Sequence, residues 1–109
     1  MELKEFSDAC HATNNYSDEA IKGGVLFNGM AEEAGEANGQ FKRMWRDDNG
    51  AWSQERTKKA VLECLDCMWY CVENIRALGY DIDVAAEMLL SKLARRKAEG
   101  KINGEGSER

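Results

Sequence analysis

A chain of 109 residues is the size of one ordinary domain and leaves little room for a second core. With 43% hydrophobic and 32% charged residues it has the balance of a folding chain, and its net charge of -5 argues against broad attraction to a nucleic acid polymer or an anionic membrane. The opening Met1-Glu2-Leu3-Lys4-Glu5 lacks a basic lead into an apolar run, no apolar stretch reaches the roughly 20 residues of a membrane span, and a cytoplasmic location is the resulting expectation.

Proline is absent while alanine, leucine, glutamate, lysine and methionine are plentiful, so the chain reads as all-α. Four helices fit between the glycine and asparagine clusters. The first is predicted from about Leu3 to Ala12, ending at Asn14-Asn15, with His11 and Phe6 on it and the histidine expected at the surface. The second follows a Ser17 cap and reaches about Trp45, with a kink or break at Gly23-Gly24. Leu26, Met30, Ala34, Ala37, Phe41 and Met44 recur along it at steps of three and four, predicting one apolar stripe against the core.

The third helix is predicted from Ser53, with Trp52 as a staple residue, to a C-terminal glycine at Gly79. The fourth starts at an Asp81 or Asp83 cap, turns Val84, Met88, Leu89 and Leu93 inward and ends in Lys92, Arg95, Arg96 and Lys97. One domain over residues 1–100 and a flexible tail over 101–109 complete the organisation.

The chemistry concentrates on the third helix. From Ala60 to Ile75 it is apolar nearly all round, except for Glu63 and Asp66 in its middle. At about 100° per residue these two acids stand roughly 60° apart on one side, and Tyr70 and Glu73 continue that side along the axis. A buried carboxylate is costly unless it is neutralised, paired or bound to metal. The second helix offers a matching pair, since Glu33 lies inside its apolar stripe and Glu36 borders it. Four converging carboxylates form an oxygen-only set, which favours Mg²⁺ or Mn²⁺ over zinc. A di-iron centre would call for Glu-x-x-His elements, and the single histidine, His11, has no such partner. Salt bridges to lysine or arginine are the competing reading of the acids. Cys64, Cys67 and Cys71 are expected to be reduced core-filling thiols, and Trp45, Trp52 and Trp69 to pack in the core or at a subunit interface.

Glu32-Glu33-Ala34-Gly35-Glu36 followed by Glu63-Cys64-Leu65-Asp66 resembles the paired Glu-Glu-x-x-Glu and Glu-x-x-Asp motifs of the MazG-like, all-alpha nucleoside triphosphate pyrophosphatases. Ala37, Phe41, Tyr70, the Gly79-Tyr80-Asp81-Ile82 joint and the run Ser91 to Arg96 extend the likeness over about residues 26–100. The resemblance implies a four-helix bundle completed by oligomerisation, as a homodimer or a dimer-of-dimers tetramer. It implies Mg²⁺-dependent conversion of a nucleoside triphosphate, in particular a deoxynucleotide, to the monophosphate and pyrophosphate in pool sanitation or balance. Glu33, Glu36, Glu63 and Asp66 would then be the metal ligands. Glu32 or one of the ligand acids would take the proton of the attacking water, and Lys92, Arg95 and Arg96 would meet the phosphates. Two other classes compete: a non-catalytic helical oligomer serving as a regulatory or interaction module, and a different metal enzyme on a carboxylate-lined bundle.

Overall fold

The structure is a computed structural model that describes residues 1–104. Five helices follow one another: α1 (Leu3–Ala12), α2 (Asp18–Lys22), α3 (Val25–Asp47), α4 (Gln54–Ala77) and α5 (Ile82–Ala98). The described residues contain no strand, in line with the all-α expectation. The tail expected over 101–109 lies outside the described residues from 105 onward.

Local chemistry sets most of the boundaries. Ser17 Oγ accepts from Ala20 N–H at 3.2 Å, and Ser53 Oγ accepts from Arg56 N–H at 3.0 Å. Asp81 Oδ1 accepts from the Asp83 and Val84 amides at 2.9 and 3.4 Å, which makes Asp81 the cap of α5. At the end of α4 the chain passes through Gly79 at φ +87°, while Tyr80 N–H reaches back to Ile75 O at 3.2 Å. That return satisfies a carbonyl the helix would otherwise leave open, and it needs a residue free to adopt positive φ. The four-helix count requires correction. Gly24 adopts φ +98°, so the kink or break expected at Gly23-Gly24 is a full break, and the second helix becomes two separate elements, α2 and α3.

The backbone of the fold is an antiparallel hairpin of α3 and α4. Its register can be read from three cross-helix bonds. Arg56 donates to Gln40 Oε1 near the loop, the Cys67 thiol faces Met30 O in the middle, and Asn74 Nδ2 donates to Leu26 O at 3.0 Å at the far end. Asn74 is buried, so this bond satisfies an amide that would cost about 1–3 kcal/mol if left unpaired. Near the loop, Arg56 also holds Asp48 at 2.8 Å. Around this hairpin, α2 packs on α3, while α1 and α5 pack on α4 and on each other.

The buried apolar set among the described residues is small: Cys10, Leu26, Met44 and Val72. Of the apolar stripe expected on α3, Leu26 and Met44 are buried, Met30 and Ala37 are half-buried, and Ala34 and Phe41 are exposed. On α4, Val61, Leu62, Leu65 and Met68 are exposed as well. The expectation that Val84, Met88, Leu89 and Leu93 turn inward is not met in the single chain, where all four are exposed. Among the described residues α5 packs on α1 and α4, contacts that half-bury Ile82, Ala85 and Ala86 and leave these four side chains uncovered. Among the described residues no helix is long and apolar enough to cross a membrane.

Candidate active site

The hairpin register determines which acids meet. Since Met30 stands opposite Cys67, the next turn of α3 brings Glu33 opposite the α4 turn that carries Glu63 and Asp66. Carboxylate oxygens of Glu33, Glu63 and Asp66 all lie within 4.8 Å of one another, with Glu33 and Glu63 half-buried and Asp66 exposed. Glu32 and Glu36 are exposed neighbours on α3 and do not join that cluster. Burial pushes the Glu33 carboxyl above its ordinary range, and the charges of Asp66, Glu63, Glu32 and Glu36, in that order, push it further. No lysine or arginine pairs with any of these five acids among the described residues. These three close carboxylates form a hard, all-oxygen donor set. Its chemistry fits Mg²⁺ or Mn²⁺ and not a thiophilic ion.

Beside the acids opens a cleft of about 480 Å³, with Glu33 and Asp66 on one side. Its other walls are Trp69 and Tyr70 from α4 and Thr13, Asn15 and Tyr16 from the connector between α1 and α2. The Tyr16 and Tyr70 hydroxyls are 2.9 Å apart, and Trp69 meets Tyr70 edge to face with ring centroids 4.8 Å apart. The Tyr70 phenol is pushed up to about 12, first by its bond to Tyr16 and then by burial and the nearby charges of Tyr16, Glu33 and Glu32. It therefore stays protonated at neutral pH, a neutral hydrogen-bonding group at the edge of an acidic cluster. Gly29 of α3 lies under the Tyr70 ring so closely that a Cβ there would occupy the space of the ring carbons.

The basic residues of α5 lie elsewhere in the chain. Lys92 and Arg95 line a groove of about 650 Å³ with Val84, Glu87, Met88 and Ser91, not the acidic cleft. Arg96 is 4% exposed. Trp69 is half-buried: its indole N–H donates to Thr13 Oγ1 at 2.8 Å and its ring forms part of the cleft wall. The cysteines are free thiols, but Cys64 is exposed and Cys67 and Cys71 are half-buried, so core filling describes them poorly. Sequence reasoning missed Thr13, Asn15, Tyr16 and Gly29. Of these, only Gly29 left a signal, as a glycine inside a long helix where a backbone must be approached closely.

No family model and no solved structure matches the chain. It is similar to the Gene 37 protein of Mycobacterium phage L5, with 33% identity over 81 residues that cover 74% of this chain and 71% of that protein.

Proposed function

The chain belongs to the family of the phage L5 Gene 37 protein, whose name states no activity, and from its own site we propose that it is a Mg²⁺-dependent nucleoside triphosphate pyrophosphohydrolase of the MazG type. The observation that carries this reading is the cluster of Glu33, Glu63 and Asp66, held together by two helices and left without a lysine or arginine partner among the described residues. Keeping like charges this close is unfavourable in the protein alone, and a divalent cation removes the cost. When bound by these three acids, with Glu36 as a further oxygen donor, Mg²⁺ or Mn²⁺ would neutralise phosphate charge and lower the pKa of a water.

In the proposed reaction water forms a new bond to the α-phosphorus, the bond from that phosphorus to the oxygen bridging to the β-phosphate breaks, and pyrophosphate leaves. The proton released by the water passes to Glu32 or to one of the clustered acids. Tyr70 and Tyr16, linked through their hydroxyls, offer neutral polar contacts beside the cluster without adding negative charge. Lys92, Arg95 and Arg96 are the cations proposed to offset the triphosphate. In one chain the first two face a separate groove, so a second copy is the source from which they would reach the acids. The exposed apolar turns of α4 and α5 support that assembly, as a homodimer or a dimer of dimers. Light scattering should accordingly return a multiple of the 12.3 kDa chain mass.

A deoxynucleoside triphosphate is the proposed substrate, in pool sanitation or balance. The test is to incubate the purified protein with each ribo- and deoxynucleoside triphosphate and Mg²⁺ and to identify the products. Monophosphate and pyrophosphate in equal amounts are expected. Diphosphate with orthophosphate would mean that another bond is cut, and no product from any nucleotide would leave a non-catalytic helical oligomer as the better account.

A further inference from the structure

Glu73 is the buried charged group that the proposed hydrolysis does not use. Only 2% of it is exposed, yet it sits on the face of α4 that carries Asp66 and Tyr70. Its Oε1 receives two donors from outside the helix, His11 Nδ1 at 3.0 Å and Asn14 Nδ2 at 2.7 Å, and Arg76 Nε stands 3.5 Å from Oε2. Both outside donors belong to the end of α1 and the connector that follows it. Asn14 then uses its own Oδ1 to accept from Tyr16 N–H at 3.0 Å. Counting the Trp69–Thr13 and Tyr16–Tyr70 bonds, the connector is fastened at three points, Trp69, Tyr70 and Glu73, beginning one helical turn beyond Asp66. Glu73 is the deepest of the three and the only charged one.

The cluster of Glu33, Glu63 and Asp66, in contrast, is built entirely by the α3–α4 hairpin. The two halves of the cleft thus have separate supports. We propose that Glu73 is a positioning residue that latches the α1–α2 connector against the acidic cleft, so that the connector sets affinity for the organic end of the nucleotide while metal capture belongs to the hairpin alone. A cleft of this size holds more than a phosphate group, and the Asn15 side chain on its connector wall offers both a donor and an acceptor. The nature of the ligand rests on the hydrolase reading; the latch itself does not.

The test compares the full chain with Glu73→Gln and with Asn14→Ala, the second being half-buried and tolerable should the first fail to fold. Three quantities are measured: exchange of the Trp69 indole proton, Mn²⁺ affinity, and kcat and KM with the triphosphate that the wild type turns over best. Loss of a charge-assisted buried hydrogen bond should speed indole exchange by about tenfold and raise KM by about tenfold, with kcat and Mn²⁺ affinity changing by less than about threefold. Unchanged indole exchange would overturn the latch. So would Mn²⁺ affinity or kcat falling in parallel with KM, the outcome expected of a merely structural residue. If the wild type released no pyrophosphate, the hydrolase reading would fall, while indole exchange and Mn²⁺ affinity would still decide for or against the latch.

Discussion

Glu63→Gln and Asp66→Asn are each expected to cut pyrophosphate release by about 10²–10³-fold or more, the scale of removing one charge-stabilising group from a reaction centre. Both changes preserve shape and hydrogen-bonding capacity while removing one charge from the cluster of three. Neither should unfold the protein. In the metal-free chain the Glu33 carboxyl is already raised, by burial first and then by the charges of Asp66 and Glu63, so deleting one of those charges relieves repulsion. The pH dependence has a definite sign. A carboxyl raised above its ordinary value of 4.5 contributes stability that is fully present below that value and is lost as pH rises through the raised folded pKa. Metal-free wild type should therefore melt at lower temperature as pH climbs through this range, and Asp66→Asn should flatten that fall. Thermal melts followed by circular dichroism, run alongside the product assay, check both statements. A variant that loses activity and helix content together would indicate a scaffold role for these acids instead.

Gly29→Ala is expected to destabilise the chain by about 1–3 kcal/mol, the usual cost of forcing a methyl group into a packed site. The sign is informative, because alanine for glycine inside a helix ordinarily stabilises by about 0.5–1 kcal/mol. At Gly29 the added carbon would meet the Tyr70 ring, and the ring could yield only by giving up its position beside Tyr16. Gly35, on the same helix, has nothing within 4 Å of the place an added methyl would take and provides the control. Urea denaturation should thus show Gly35→Ala at or above wild-type stability and Gly29→Ala clearly below it. KM should rise only in the latter. Equal stabilisation of both variants would mean that Tyr70 does not rest on Gly29.

Much of this architecture could be read from short stretches of sequence, because the relevant physics is local. Ser17, Ser53 and Asp81 cap helices through bonds to amides two or three residues away, and Gly79 ends α4 through its own backbone freedom. The meeting of Glu33 with Glu63 and Asp66 was legible for a related reason: acids at helical spacing on otherwise apolar helices stand out against their surroundings. Glu36 carried a weaker signal, at the border of the stripe, and its position outside the cluster depends on the crossing of α3 and α4, which spacing does not specify. The connector wall was hidden more deeply. Nothing near Asn14 announces a partner at Glu73, and the Trp69–Thr13 bond spans 56 positions of sequence. Periodicity alone also overstated burial, since it marks the apolar faces of α4 and α5 without indicating whether one chain covers them.

Titration of the metal-free protein with Mn²⁺, followed by calorimetry, bears most directly on the central claim that Glu33, Glu63 and Asp66 together capture a hard divalent ion. Saturable binding is expected in the wild type and in Glu87→Gln, an acid outside the cluster, with affinity reduced by about tenfold or more in Glu33→Gln, Glu63→Gln and Asp66→Asn. Absence of binding, or binding that all of these variants retain unchanged, would contradict it.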